Sequence, residues 1–285
     1  MLTATAPSDL RRHVDAWRAA GERIGFVPTM GALHEGHLSL VRLARENADR
    51  VVASVFVNPT QFGPHEDFNR YPRQPEKDAA MLAGAGCDLL FLPDVATIYP
   101  PGHATFVEPA GAAEGLEGAF RPGHFRGVAT VVCILFNLVR ADVAVFGEKD
   151  AQQLAVVRQM VRDLHLPVEI VPGPTVREAD GLAMSSRNAY LSPDERRAAT
   201  VLHRALRAAE AAVATGERCA DAVRQRMQDL LTAEPLARVE YAEVVKAENF
   251  QPVQSLEGRL VLPLAVRVGG TRLIDNLRLN VEENA

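Results

Sequence analysis

An α/β fold is predicted for this chain: a Rossmann-like parallel sheet with helices on both faces, followed by a smaller α+β domain. Three features of the sequence predict it. Short segments that are apolar at nearly every position alternate with helix-period segments as far as about Val176. Those strands lack in–out alternation, the mark of strands covered on both faces, as parallel sheets are. Beyond Val176 the pattern changes to long amphipathic helices, then three strands, the first of them alternating, with a Gly269-Gly270 hairpin signal between the last two. The boundary is therefore placed there, giving a nucleotide-binding domain over 1–176 and a C-terminal domain over 177–285.

Taken in order, Ser8 can cap a first helix that runs to about Ala20 and stops at Gly21. A strand over 23–28 leads through a histidine loop into a helix ending near Ala48. Val51–Val57 is a second apolar strand, closed by Asn58-Pro59. A helix over 75–85, a strand over 88–92, a helix near 126–140 and a strand over 143–146 follow. Helix 151–164 and strand 168–171 complete the alternation. Two long helices (about 193–214 and 219–233) and strands near 239–244, 259–266 and 271–277 make up the C-terminal part. In such a sheet ligands bind beyond the carboxyl ends of the strands. The first, second and fourth strands all end in distinctive polar residues, so one shared site is expected there.

Composition narrows the function classes. The 285 residues are 47% hydrophobic and 24% charged, with a net charge of −5, so no global basic field draws the chain to nucleic acid or to anionic membrane. The cysteines, Cys87, Cys133 and Cys219, are odd in number and never form a C-x-x-C pair. A disulfide framework or zinc ribbon is disfavoured, and a reducing cytoplasm fits. The N-terminus carries no signal-peptide pattern. No uncharged apolar run reaches the roughly 20 residues that span a bilayer. The longest candidate, 128–139, reads as a buried core helix.

The most informative stretch is Met30-Gly31-Ala32-Leu33-His34-Glu35-Gly36-His37, between a strand and a helix. His34 and His37 stand at a helix N-terminus, where unpaired N–H groups and the helix dipole favour an anion, and Gly31 and Gly36 let a phosphate approach. Two histidines that only cap the helix, or a zinc pair, are the competing readings; no third ligand lies nearby. No G-x-x-x-x-G-K-[ST] sequence occurs, which disfavours a P-loop enzyme. Gly147-Glu148-Lys149-Asp150 follows a strand and opens a helix, so Lys149 can reach a phosphate and Asp150 can cap the helix or bind ribose; a plain capped turn is the alternative. Met184-Ser185-Ser186-Arg187 lies near the domain junction, where hydroxyls and a guanidinium suit a polyphosphate, or merely form a solvated linker. Asn58 and Gln61 offer neutral donors and acceptors to a small hydroxylated acid, against the reading of a structural Asn-Pro turn. Gln153, beside Gln152, equally well faces water. The loop 120–127 is glycine-rich and basic, either a substrate-covering element or ordinary surface.

Five segments in order, PTMGALHEGH, FVNPTQFGPHEDFNRYPR, FRPGHFRGVATVV, FGEKDAQQL and GLAMSSRN, closely resemble the pantoate–β-alanine ligase family. That family sits within the HIGH-type nucleotidyltransferases, with His34-Glu35-Gly36-His37 as the H-x-G-H element and Met184–Arg187 in the place of the KMSKS loop. Arg187 stands where the looser pattern has lysine. The resemblance implies a two-step reaction with Mg-ATP: pantoate is adenylated with release of pyrophosphate, then β-alanine displaces AMP to give pantothenate. It implies that Met30–His37, Gly147–Asp150, Val176 and Met184–Arg187 hold ATP, with His37, His34, Lys149 and Arg187 catalytic. It assigns Gln61 and Gln153 to pantoate, with Asn58 and His124 as secondary candidates. Asp78 is the expected carboxylate near Mg2+, and a homodimer is implied. Another nucleotidyltransferase acting on a small phosphorylated substrate is the rival reading, and a catalytically silent ATP-binding protein a more distant one.

Overall fold

The computed structural model describes residues 1–64 and 66–282. It falls into two compact units, 1–148 with 156–174, and 149–155 with 175–285. Residues 149–155, expected in the first domain, thus pack with the second unit.

The first unit holds strands β1 (Leu2–Ala4), β2 (Ile24–Thr29), β3 (Arg50–Val55), β4 (Leu89–Phe91), β5 (Val143–Gly147) and β6 (Glu169–Gly173). They form one parallel sheet in the order β1-β4-β3-β2-β5-β6. Its helices are α1 (Pro7–Ala19), α2 (Glu35–Asn47), α3 (Pro75–Gly84), α4 (Val95–Ile98), α5 (Leu116–Phe120), α6 (His124–Val139) and the C-terminal part of α7 (Ala151–Asp163). Full burial of Ile24, Phe26, Val27, Val51, Val52, Ala53, Val143 and Ala144 explains why these strands read as unbroken apolar runs. Edge strand β1 is too short to be seen in the sequence pattern. Helix α1 starts at Pro7 and not behind a Ser8 cap: proline tolerates the first helical position, where its missing N–H costs nothing. The apolar run 128–139 lies within α6, where Val128, Val131, Val132, Leu135 and Phe136 are buried. No helix among the described residues is long and apolar enough to cross a membrane.

The strand order reverses between β2 and β5, because the chain first builds outward through β3 and β4 and then returns to the other side of β2. Ligands of open α/β sheets bind at such a switch point. Pairing of β2 with β5 is confined to Gly25–Val143 and Phe26–Ala144. Pro28, which has no N–H to donate, follows two residues later. The carboxyl end of β2 thus stays paired with β3 through Thr29 but separates from β5 before the loop that starts helix α2. That helix buries Leu40, Val41 and Ala44. Gly173, ending β6, lets Leu40 lie close: a Cβ there would stand 2.1 Å from Leu40 Cδ2.

In the second unit, α8 (Pro193–Ala198), α9 (Val201–Ala214) and α10 (Ala220–Thr232) accompany strands β7 (Ala237–Ala242), β8 (Val245–Lys246), β9 (Gly258–Val268) and β10 (Thr271–Val281). The strands pair antiparallel, with β9 bonded to β10, β7 and β8. The expected helix over 193–214 is broken at Ala199–Thr200; Ser192 and Glu195 cap the first piece reciprocally. The β9–β10 hairpin turns at Gly269-Gly270, as expected, with Gly269 at φ +54. Leu202, Leu206, Met227, Leu231, Leu262 and Leu264 are fully buried in one core. Leu206→Ala should therefore destabilise this unit by about 2–5 kcal/mol, the range for a buried leucine whose space cannot collapse. Urea unfolding followed by circular dichroism measures it; a change under about 1 kcal/mol would contradict this packing.

Candidate active site

The histidine loop leaves β2 at Thr29 and enters α2 at Glu35. Its shape is set by a carboxylate from another element: Asp78 of α3, 1% exposed, accepts Ala32 N–H on Oδ2 and Leu33 N–H on Oδ1, each at 2.9 Å. Gly31 has φ +82, and a Cβ there would sit 2.8 Å from Asp78 Oδ2, so both conformation and space require glycine. Gly31 N–H donates to Thr29 Oγ1 (3.2 Å), whose own hydroxyl donates to Ser54 O (2.8 Å).

His34 is the N-cap of α2, its Nδ1 accepting from Gly36 N–H at 3.2 Å. His37 answers reciprocally: its Nδ1 accepts from His34 N–H at 3.4 Å, and the two rings lie 4.2 Å apart, tilted by 46°. Imidazoles here do the work of the serine and glutamate of an ordinary capping box. A ring nitrogen accepting from an amide carries no proton, so a neutral imidazole held this way bears its proton on Nε2. His37 N–H and Leu38 N–H donate to His34 O. The expectation of unpaired backbone amides for an anion is thus corrected. The N–H groups of Gly31, Ala32, Leu33, His34, Gly36 and His37 all have partners within the protein. Ala32 and Leu33, expected to contact nucleotide, are buried and shape the loop. Asp78, expected near Mg2+, has both carboxylate oxygens accepting loop amides in the interior. Glu35 pairs with Arg42 on the outer face of α2.

The second strand-end segment is a 3-10 turn, Pro59–Gln61, capped by Asn58. Asn58 is 1% exposed: Nδ2 donates to Gln61 Oε1 and Gly127 O (3.1 Å each), while Oδ1 accepts from Thr60 N–H (3.3 Å), Thr60 Oγ1 (2.9 Å) and Tyr99 OH (2.9 Å). Its amide, expected as a secondary substrate contact, is saturated inside the fold and bonded to the Gln61 side chain. Gln61 Nε2 donates to Met30 Sδ at 3.0 Å, a weak acceptor. The two strand-end segments are therefore brought together through the Met30–Gln61 contact.

His124, at the start of α6, is likewise interior. Its Nδ1–H donates to Gln61 O (2.9 Å) and Nε2 accepts from Arg121 Nη1 (3.1 Å). Burial, then the neighbouring Arg121 charge, pushes its pKa down to about 4, so the ring is neutral near pH 7. Arg121 in turn grips Glu66 with two 2.7 Å bonds and donates to Gln61 O (3.3 Å). The basic loop expected to cover a substrate has its Arg121 and His124 turned inward, buttressing the Gln61 turn. Contact is close because residue 127 is glycine: a Cβ there would lie 2.4 Å from Thr60 O.

Gly147 ends β5 in the first unit, and Lys149, the first residue of the second, belongs to the 3-10 turn Glu148–Asp150 ahead of α7. Lys149 Nζ lies 3.8 Å from Asp150 Oδ2, a long and partly exposed pair that holds the lysine weakly. Gln152 is buried and Gln153 half-buried. Val176 O accepts from Met184 N–H (3.0 Å), and Arg177 and Ala183 bridge across the intervening hairpin. Ser185 caps the 3-10 turn Ser186–Tyr190, its Oγ accepting from Arg187 N–H at 3.3 Å. Arg196 binds both Glu178 (2.6 Å) and Asp180 (2.8 Å), and its hydrogen bond draws Asp180 below the usual carboxylate range. Sequence reasoning missed Thr29, Tyr99, Arg121 and Glu66 as supports; their partners are distant in sequence, and only the ordered NPTQ and RPGH segments marked the places.

Comparison with known proteins places the chain in a family. The family model described as Pantoate-beta-alanine ligase matches residues 2–278. The pantothenate synthetase of Moorella thermoacetica is 55% identical over 274 residues, covering 96% of this chain and 97% of that protein. The one from a Roseiflexus species is 58% identical over 252 residues, covering 88% and 91%. The crystal structure of pantothenate synthetase from Thermus thermophilus superposes with a TM-score of 0.91 at 51% identity, covering 97% of this chain and 99% of that one. The Francisella tularensis ligase, solved with β-γ ATP and β-alanine, gives 0.80 at 34% identity, covering 97% of each.

His124 yields a pH prediction. Its folded pKa lies below its ordinary value, so the unfolded state binds the proton first. The stability from the neutral ring is complete above about pH 6.5 and is lost as pH falls through about 4. The loss should reach on the order of 3 kcal/mol. Unfolding free energies measured between pH 7 and 4 should fall more steeply for the wild type than for His124→Asn; equal slopes would refute the assignment.

Proposed function

The chain belongs to the pantoate–β-alanine ligase family, and from that premise we propose how its residues perform the ligation. The reaction condenses pantoate with β-alanine at the expense of ATP. A pantoate carboxylate oxygen attacks the α-phosphorus, the bond to the β-phosphate oxygen breaks and pyrophosphate leaves. The β-alanine amine then attacks the acyl carbon of pantoyl adenylate; the bond to AMP breaks, the nitrogen loses a proton and pantothenate is released. No covalent enzyme intermediate is required, and the buried Cys87, its thiol pushed up to about 11 by desolvation, is not a candidate for one.

The observation that carries the reading is the pair of imidazoles locked by their Nδ1 atoms at the start of α2. With the proton on Nε2, His34 and His37 donate to phosphate oxygens and offset charge that grows during the in-line displacement. His37 is the catalytic donor in this scheme. Lys149 and Arg187 neutralise phosphate charge, Ser185 and Ser186 add hydrogen bonds, and Met30, Gly31, Gly36, Gly147–Asp150, Val176 and Met184 border the nucleotide. Gln61 and Gln153 bind pantoate, and Gln61 also borders β-alanine. A pantoate oxygen in place of Met30 Sδ gives Gln61 Nε2 a far stronger acceptor, which supports that assignment. Asn58 and His124 serve by holding Gln61.

ATP enters as its magnesium complex, with the metal held by phosphate oxygens and water, as is usual for Mg2+ on nucleotides. No group of three or more His, Cys, Asp or Glu residues fit to hold a metal occurs among the described residues, so the ion is treated as part of the substrate. A cytoplasmic homodimer completes the proposal, with sedimentation of the purified chain as its check.

The direct test supplies ATP, pantoate and β-alanine and follows pantothenate, AMP and pyrophosphate in equal amounts; pyrophosphate formation independent of pantoate would refute the reading. His37→Ala should slow pantoate-dependent pyrophosphate release by roughly 10²–10³, the scale for losing one preorganised donor. An unchanged rate removes His37 from the mechanism.

A further inference from the structure

We propose that Asn276 is a positioning residue for Lys149, and that the Asp275–Asn276 step of β10 holds the lysine turn and the hairpin before Met184–Arg187 in one frame. The inference rests on the proposed role of Lys149 at the nucleotide phosphates.

Lys149 is a flexible cation paired loosely with Asp150, so its placement depends on where its backbone stands. That backbone is held from 127 residues away: Asn276 Nδ2 donates to Lys149 O at 2.8 Å. Asn276 is 6% exposed, in the middle of an eleven-residue strand paired along its length with β9. Its own N–H donates to Asp275 Oδ1 at 2.7 Å and its carbonyl accepts from Arg177 Nη2 at 3.3 Å.

Asp275, 2% exposed, receives the same guanidinium through two bonds, from Nη1 at 2.6 Å and Nη2 at 2.9 Å. Arg177 Nη1 also donates to Gly181 O (3.0 Å), closing the turn of the hairpin whose far strand leads into Met184. Two adjacent strand residues thus grip two segments that lie well apart in the sequence. A general core role would need neither an amide donor aimed at one carbonyl nor a bidentate acceptor aimed at one arginine. Only asparagine or glutamine has the uncharged N–H2 this carbonyl accepts, and asparagine has the shorter reach.

The test is a double-mutant cycle on pantoate-dependent pyrophosphate release, using Asn276→Ala, Lys149→Met and the pair. Asn276→Ala in the wild-type background should cut kcat/KM for ATP by roughly 10–100-fold, the scale of a misplacement near 1 Å, with KM for pantoate unchanged. In the Lys149→Met background the same substitution should cost less than about twofold, because the group it positions is gone. An equal loss in both backgrounds means that Asn276 acts elsewhere and overturns the proposal. An unimpaired Asn276→Ala enzyme beside an impaired Lys149→Met one overturns it alone. A fully active Lys149→Met enzyme overturns the role of Lys149, and this inference with it. Should Asn276→Ala fail to fold, the near-isosteric Asn276→Asp enters the same cycle, with a carboxylate opposing the carbonyl and the same outcomes deciding.

Discussion

One buried carboxylate sets the geometry on which the nucleotide chemistry depends. Asp78 takes the amides of Ala32 and Leu33, and that pair of bonds fixes how the chain turns from the central strand into α2. Without it the loop would need another acceptor for two interior N–H groups, each costly to leave unmade. Gly31 answers the same constraint from the other side, because any side chain there would collide with the carboxylate. The position of His34 and His37 at the start of α2 follows from this turn. Their orientation follows from the reciprocal Nδ1 caps, so both the place and the tautomer of the proposed donors are determined before any ligand arrives.

The consequence differs from a phosphate-binding loop built of backbone amides. Such loops hold anions with many fixed N–H groups and little specificity for charge development. Here the N–H groups of Gly31, Ala32, Leu33, His34, Gly36 and His37 are satisfied internally, and the proposed donors are side chains standing on them. An imidazole Nε2–H on a rigid cap can be aimed at one oxygen, which suits stabilisation of a transition state better than uniform binding of the ground state. The same division recurs around Gln61. Arg121 and His124 hold its backbone carbonyl, Asn58 holds its side-chain Oε1, and the Nε2 end is the part left on a weak sulfur acceptor.

Much of the fold was legible in the sequence because its strands are buried on both faces, and burial on both faces writes itself as continuous apolar runs. The break in the 193–214 helix and the edge strand at Leu2–Ala4 were not legible: one rests on a local cap, the other on pairing with the distant strand Leu89–Phe91. In the site, the polar residues at strand ends were found, but the internal partners of several of them were not. Asn58, His124 and Asp78 carry the residue types that a ligand-binding position would carry, and a saturated interior amide looks the same in sequence as one facing substrate. What separates them is the set of partners around each polar atom, and those partners lie on other elements. Gly127 shows the limit from the opposite side: it reads as loop flexibility, yet its task is to let α6 approach Thr60.

The supports share a physical logic that bears on which substitutions such a site tolerates. Groups that touch substrate must keep a donor or acceptor open, so their own anchoring has to come from the backbone or from neighbours. Residues doing the anchoring are therefore buried, fully paired and intolerant of losing a partner, since the remaining group would be stranded in a low-dielectric interior. Asp78, Asn58, His124 and Asp275 all fit that description, with exposures of 8% or less. The neutral state of His124 belongs to the same logic. A charged ring could still donate to Gln61 O but could not accept from Arg121, and the contact with the guanidinium beside it would become a repulsion. Sensitivity to acid is thus built into the scaffold beneath the proposed pantoate contact, apart from any titration of the groups that meet substrate.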